Sequence, residues 1–133
     1  MKTPKWVRTD IVLAMHDRML AEHGGSAGIR DENLLESALA KPRNLLAYGK
    51  PSLFSLAAAY AYGIIKNHPF VDGNKRTGFM TAFVFLGINE VDFATEETDV
   101  AVQTLAAAAG ELTEEGYAKW LEEKSKLPRR RKQ

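Results

Sequence analysis

Apolar residues recur along this chain at the spacing of α-helices, and no stretch of useful length alternates as a half-buried strand does. Two neighbouring segments are apolar on nearly every side: LFSLAAAYAYGIIKN (residues 53–67) and RTGFMTAFVFLGI (residues 76–88). A helix that is apolar all round belongs in the middle of a bundle. The pattern therefore predicts two central helices, the first of them capped by Ser52.

Amphipathic segments before this pair predict two further helices. The first covers residues 11–23 and is capped by Thr9 or Asp10. The second follows the loop GGSAGIR, is capped by Asp31 and ends at Pro42, because proline cannot donate the hydrogen bond that a helix interior needs.

Three segments complete the prediction. The stretch NLLAYGKP (residues 44–51) has no convincing period and is predicted to be a loop or a short hairpin. After the central pair, Thr95 caps a helix over residues 96–109 and Thr113 caps another over residues 114–126.

Length and composition fit one globular domain. The chain has 133 residues and no cysteine, which rules out a disulfide framework and a zinc–thiolate site. The predicted fold is all-α, a compact single-domain helical bundle over residues 1–126. No apolar run resembles a signal peptide or reaches membrane-spanning length, so the expected location is the cytoplasm, with no membrane partner and no redox role.

The last ten residues, KSKLPRRRKQ, hold six of the 18 basic residues and no acidic one. A basic end of this kind can contact nucleic acid or an acidic partner. More often it is a solvated terminus, and residues 127–133 are predicted to be a disordered tail. The rest of the chain is acidic, so nucleic acid is not an expected partner except through this tail.

The densest polar cluster, NHPFVDGNKRTGF (residues 67–79), lies between the two central helices. The first turn of a helix has four N–H groups without intrahelical partners, and the helix dipole makes that end positive. Lys75 and Arg76 oppose this dipole in a free helix, but they suit a site that binds an anion with several charges. Gly73 permits a tight turn and close approach of a ligand to the backbone, and Asn74 begins the helix.

Three more side chains suggest the chemistry of this cluster. Asp72 can hold a divalent cation against a phosphate, and His68 can take a proton from a hydroxyl. Phe70 anchors the loop through its apolar ring. This set favours phosphoryl or nucleotidyl transfer from a nucleotide to an alcohol. The plain alternative stays open, because DGN is also an ordinary turn, Asn74 an ordinary cap and a lone loop histidine usually a packing residue.

The segment HPFVDGNKRTG resembles the signature of Fic/Doc proteins, His-x-Phe-x-Asp/Glu-Gly-Asn-Gly-Arg-x-x-Arg. Six positions match, namely His68, Phe70, Asp72, Gly73, Asn74 and Arg76. Lys75 replaces the second glycine and Phe79 the final arginine, and both departures resemble the Doc branch, the death-on-curing toxins. GGSAGIRDENLLESALAKP (residues 24–42) is similar to the N-terminal block of Doc-like proteins.

This resemblance implies an all-α fold whose active loop lies between the two central helices, with ATP as co-substrate and Mg²⁺ as cofactor. It implies that His68 is the general base for a target hydroxyl and that Asp72 positions Mg²⁺. Gly73 and Asn74 would offer backbone donors to phosphate. Residues 44–51 would hold a flap that clamps the target segment by strand addition.

The departures from the signature bear on the reaction. Lys75 and Arg76 would bind phosphates, while Phe79 cannot orient a nucleotide as the final arginine does in AMP-transferring members. The resemblance therefore favours a Doc-like kinase, a toxin that transfers phosphate from ATP to a hydroxyl of a target such as elongation factor Tu. AMP transfer to a protein hydroxyl is the alternative.

Regulation and a non-catalytic role complete the expectations. The Ser/Thr-x-x-x-Glu-Gly/Asn string of self-inhibited Fic proteins is absent from the sequence. The expected regulator is therefore an antitoxin in trans, a small and partly disordered protein that folds onto a groove. A helical module that binds an anion or a partner without turnover is the alternative of another class.

Overall fold

The computed structural model describes residues 3–127 and contains six helices within them. Their bounds are Thr9–His23 (α1), Glu32–Ala47 (α2), Leu53–Asn67 (α3), Asn74–Ile88 (α4), Glu97–Ala108 (α5) and Glu114–Glu123 (α6). A small antiparallel sheet pairs Asp92–Phe93 (β1) with Ser125–Lys126 (β2). The all-α prediction is confirmed, with this short sheet as an addition that the apolar pattern did not indicate.

Helix α3 is the centre of the fold. Nine of its 15 residues are buried, and α2, α4 and α6 all pack against it. Its start is confirmed, because Ser52 Oγ accepts a hydrogen bond from the Ser55 N–H at 3.1 Å. Small residues bring α4 close, since a Cβ added at Gly78 would lie 3.0 Å from the Ala61 carbonyl oxygen.

Helix α2 continues past Pro42 to Ala47, so the predicted end at this proline is wrong. Proline removes one hydrogen bond from a helix interior. The apolar spacing of Leu35, Ala38 and Leu46 nevertheless runs across it, and Pro42 is itself buried on the same face. Burial of that face against α3 outweighs the missing bond.

Because α2 is longer than predicted, the segment 44–51 also differs from its prediction as a loop or short hairpin. Residues 44–47 belong to α2, and residues 48–51 connect α2 to α3 without a strand. A loop or hairpin over the whole segment is therefore wrong, and the flap that the resemblance implies is reduced to this short connection. Tyr48, at 91% exposure, is the most exposed large hydrophobic side chain between residues 3 and 127.

The cap of α1 also differs from its prediction. Arg8 occupies the cap position and no side chain caps the helix, so neither Thr9 nor Asp10 does so. The Arg8 guanidinium instead forms an exposed ion pair with the Asp10 carboxylate at 2.8 Å. The start of α1 thus carries an exposed ion pair between the cap residue and the first turn, and no side-chain cap.

The last two helices combine one correct cap and two errors. Thr113 Oγ1 accepts from the Gly116 N–H at 3.0 Å, which confirms its capping role. Thr95 does not cap α5, because its hydroxyl donates to the Asp99 carboxylate at 2.8 Å. Helix α6 ends at Glu123 rather than at residue 126, since the chain that follows pairs with β1.

The predicted disordered tail, residues 127–133, lies outside the described residues except for Leu127, which is exposed. Between residues 3 and 127, no helix combines the length and the apolar character needed to cross a bilayer.

Candidate active site

The polar cluster forms the connection between α3 and α4, at one end of the central helix pair. Helix α3 is closed by His68, whose backbone is left-handed at φ 54° and ψ 53° and whose N–H donates to the Ile64 carbonyl at 3.0 Å. Helix α4 begins after Gly73, which is also left-handed, at φ 80°. Residues 68–73, called the active loop below, therefore turn the chain sharply between the two helices.

Phe70 and Asn74 fasten the active loop from inside. Phe70 is fully buried, and its ring stacks on His16 with centroids 3.8 Å apart. The Asn74 amide accepts from the Phe70 N–H at 2.9 Å and donates to the Phe70 carbonyl at 3.0 Å. The Asn74 side chain is thus committed to the loop. Its backbone N–H has no intrahelical acceptor, because Asn74 is the first residue of α4.

Most of the predicted site residues share one cavity of about 200 Å³. Those that line it are His68, Asp72, Gly73, Asn74, Lys75 and Arg76. Phe70, buried beneath the loop, is the remaining predicted residue. The end of α1 closes the opposite side of this cavity through Met19, Leu20 and His23.

The start of α4 presents donors and positive charge to the cavity. The N–H groups of Asn74, Lys75 and Arg76 lie in the first turn, where a helix offers no intrahelical acceptor, and no side chain caps α4. Lys75 and Arg76 are exposed, and neither forms an ion pair within residues 3–127. An anion here would meet three N–H groups, an ammonium and a guanidinium.

Asp72 presents an exposed carboxylate to the same cavity. Its Oδ1 accepts from the Gly73 N–H at 2.9 Å and its Oδ2 from the Ser26 N–H at 3.3 Å, which leaves further lone pairs for a cation. Within residues 3–127, no three His, Cys, Asp or Glu side chains are grouped to hold a metal ion. Mg²⁺ commonly binds through one or two carboxylates together with phosphate and water, so this carboxylate beside an anion site fits it.

The two histidines near the active loop differ in their environment. His68 is exposed, and its imidazole makes no hydrogen bond within the described part of the chain, so it is open to an incoming hydroxyl. His16 is buried, with Nε2 2.7 Å from the Asp72 carbonyl oxygen. His16 therefore supports the backbone of the loop, a role that the sequence did not suggest.

The segment 24–30, which is predicted as a loop, also holds the active loop. Its Gly28 carbonyl accepts from the Val71 N–H at 3.0 Å, and its Arg30 N–H donates to the Pro69 carbonyl at 2.6 Å. The Arg30 guanidinium donates to the Asn67 and His68 carbonyls. An arginine between a glycine-rich stretch and the capping Asp31 is the one sequence signal for this contact.

A larger cavity of about 660 Å³ adjoins the first and shares Lys75 and Arg76 with it. It lies between α1, α4 and α5 and is called the α5 groove below. Apolar side chains supply much of its lining, among them Phe79, Met80, Val100, Ala101 and Leu105.

Phe79, at the position of the signature's final arginine, belongs to an aromatic cluster beside this groove. Its ring centroid lies 5.7 Å from that of Phe93 and 6.3 Å from that of Trp120. A phenyl ring held by these contacts gives the site no hydrogen-bond donor for a nucleotide.

The chain is similar in sequence to known proteins. The model of the Fic/DOC family matches residues 6–86, a range that includes the whole active loop. Toxin Doc of Mycolicibacterium smegmatis is 42% identical over 76 residues, which cover 55% of this chain and 58% of that protein. Protein kinase doc of Escherichia phage P1 is 31% identical over 103 residues, which cover 77% of this chain and 81% of that protein.

The match to the first relative therefore spans less than two thirds of its length, whereas the second aligns over most of both chains. The family model covers more than half of this chain. The resemblance found in the segment HPFVDGNKRTG is thereby confirmed, and the chain belongs to the Fic/DOC family.

Proposed function

We propose that this protein is a Doc-like toxin that transfers a phosphate from ATP to a hydroxyl side chain of a target protein. The observation that carries the proposal is the shared cavity, in which an exposed imidazole, a carboxylate and the cationic start of α4 meet. The relative from phage P1, named a protein kinase, supports phosphate as the transferred group.

His68 would act as the general base in this reaction. It would accept the proton of the target hydroxyl as that oxygen forms a bond to the terminal phosphorus and the bond to the ADP leaving group breaks. Lys75 and Arg76, with the first-turn N–H groups, would bind and neutralise the phosphates. Asp72 would hold Mg²⁺, which when bound supplies further charge neutralisation.

AMP transfer is the second candidate, because the signature matches from His68 through Asn74 and the same anion site would accept an inner phosphate. Phe79 argues against it, since its ring lies in an aromatic cluster and offers no guanidinium to orient a nucleotide. Elongation factor Tu is the target that we propose, on the ground of the family resemblance.

We further propose that an antitoxin in trans occupies the α5 groove. The groove has a largely apolar lining that also includes the cations of Lys75 and Arg76 and the carboxylates of Glu22 and Glu97. It suits an amphipathic helix whose acidic residues meet Lys75 and Arg76. A chain seated there would cover the cations of the active site. A small partly disordered protein that folds on binding has the chemistry for such a contact.

The test of the transfer reaction uses the purified protein, Mg·ATP and elongation factor Tu, and its readout is the intact mass of the target. We expect the addition of one phosphate, and about 10²–10⁴-fold slower transfer by His68→Ala and His68→Gln. Both variants should melt at the temperature of the parent, because the imidazole is exposed and makes no described hydrogen bond. An added AMP would establish the second candidate, and no modification of any target in a lysate would favour the non-catalytic binding module.

A further inference from the structure

Arg30 binds the end of α3 through side chain and backbone together. Its Nε donates to the His68 carbonyl at 2.7 Å and its Nη2 to the Asn67 carbonyl at 2.9 Å. Its backbone N–H donates to the Pro69 carbonyl at 2.6 Å. One residue from the segment before α2 therefore satisfies three consecutive carbonyls around the proposed base.

The Asn67 and His68 carbonyls, at the end of α3, need an external partner, whereas the Pro69 carbonyl also accepts from the Asp31 N–H at 3.0 Å. The last carbonyl groups of a helix have no intrahelical donors, and they form the negative end of the helix dipole. A guanidinium presents several donors in a rigid plane, so it can reach two neighbouring carbonyls at once, which an ammonium does poorly. Arg30 matches both the charge and the geometry of this helix end.

His68 requires such support because of its backbone. It is one of two non-glycine residues with positive φ between residues 3 and 127, the other being Glu90. A side chain in this conformation persists only where the surrounding structure enforces it. The direction of the Cα–Cβ bond follows from φ and ψ, so a relaxed backbone would turn the imidazole to a different direction.

We infer that Arg30 is a positioning residue, which holds residue 68 in the left-handed conformation and so directs its imidazole into the cavity of the active loop. The kinetic consequence rests on the proposed function, whereas the conformational consequence does not. If Arg30 had only a structural role, its loss would lower the melting temperature. Below that temperature, the NMR signal of the His68 imidazole and kcat would stay unchanged.

The kinetic test compares Arg30→Ala and Arg30→Lys with Arg18→Ala, which removes another exposed arginine, one that pairs with Glu22 on α1. We expect kcat of Arg30→Ala to fall by about 10²-fold, the loss that a small misplacement of a reacting group causes. KM for ATP should stay near the parent value, because the start of α4 is unchanged. Arg30→Lys should recover part of kcat, and Arg18→Ala should match the parent.

The second readout is the NMR signal of the His68 imidazole. The chain has only three histidines, so this signal can be assigned by substitution. We expect it to shift in Arg30→Ala, to return towards the parent position in Arg30→Lys, and to stay in place in Arg18→Ala. An unmoved His68 signal in Arg30→Ala overturns the inference, whatever the activity. A shifted signal with unchanged kcat overturns the positioning role. A shifted signal in a protein whose parent form transfers no group leaves the conformational inference supported and refutes the proposed function instead.

Discussion

At the scale of single residues, Gly25 decides how closely the segment before α2 approaches Asp72. Its φ is 125°, and a Cβ added there would lie 2.8 Å from Asp72 Oδ2 and 2.9 Å from Leu20 Cδ2. The neighbouring Gly24 also has a positive φ, 82° with ψ 174°, but an added Cβ would meet nothing within 4 Å. A side chain at either glycine strains the backbone, but only one at Gly25 also clashes with Asp72, the proposed Mg²⁺ ligand.

We predict that Gly25→Ala weakens the binding of Mg·ATP and that Gly24→Ala does not. Both variants should lose about 1–3 kcal/mol of stability, the cost of a side chain in a sparsely populated conformation with positive φ. Only the first displaces the Asp72 carboxylate. Titration calorimetry with Mg·ATP measures the difference, and Asp72→Asn provides the comparison for a loss of the ligand itself. Equal affinities in the two alanine variants would contradict the role given to Asp72.

At the scale of elements, Asp99 joins α5 to α6. Its Oδ2 accepts hydrogen bonds from Trp120 Nε1 and Thr95 Oγ1, both at 2.8 Å. Trp120 is buried and its ring contacts Phe93. The hydrogen bond from Trp120, opposed in part by burial, holds the pKa of the Asp99 carboxyl below its ordinary value. The ionised form of Asp99 is therefore the one that the folded protein prefers.

Asp99→Ala should lower the free energy of unfolding by about 1 kcal/mol at neutral pH, since solvent screens part of the usual gain from hydrogen bonds to a charged group. Because the pKa is lowered by folding, the ionised carboxylate stabilises the fold above the unfolded pKa. That contribution disappears as the pH falls through the folded pKa. The difference in the free energy of unfolding between parent and variant should consequently become smaller at acidic pH.

Urea unfolding at a series of pH values checks this prediction. Asp17→Ala is the control, since Asp17 is an exposed carboxylate on α1 that makes no hydrogen bond within residues 3–127. A gap between parent and Asp99→Ala that is the same at about pH 2 and at neutral pH would show that packing alone, and not the charge of Asp99, joins the two helices.

At the scale of the whole molecule, the cavity of the active loop and the α5 groove form one continuous surface. They share Lys75 and Arg76, so a partner in the groove reaches the cations that the proposed phosphates would occupy. Two exposed apolar residues of α5 differ in whether they line the groove. Leu105, at 56% exposure, lines the groove, while Val102, at 61% exposure, lies outside its lining.

Leu105→Glu should therefore escape neutralisation by the antitoxin, and Val102→Glu should remain neutralised. Each change places one carboxylate on an exposed helix position, so each should alter stability by less than about 0.5 kcal/mol. Growth arrest with and without the co-expressed antitoxin provides the measurement, and pull-down of the antitoxin separates binding from activity. Neutralisation of both variants would place the antitoxin elsewhere on the molecule.

The sequence alone determined the parts of this protein whose causes are local. The apolar run from Leu53 to Asn67 could be buried only as a central helix, and Ser52 marked its start because a cap acts within one turn. The candidate site residues 68–76 are nearly contiguous, so one short connection between two helices brings them into a shared cavity. For the same reason the signature HPFVDGNKRTG was sufficient to identify the family.

Tertiary structure decided what depends on contacts between distant parts of the chain. Helix α2 continues through Pro42 because its apolar face is buried on α3. A rule based on the local cost of proline does not include this burial. β1 pairs with β2 although each has two residues, too few for an alternating pattern. Arg30 reaches His68 across 38 positions of sequence, and such a contact leaves no periodic trace. Burial and hydrogen bonds to remote backbone groups are properties of the folded chain, and they support the active loop that the sequence made recognisable.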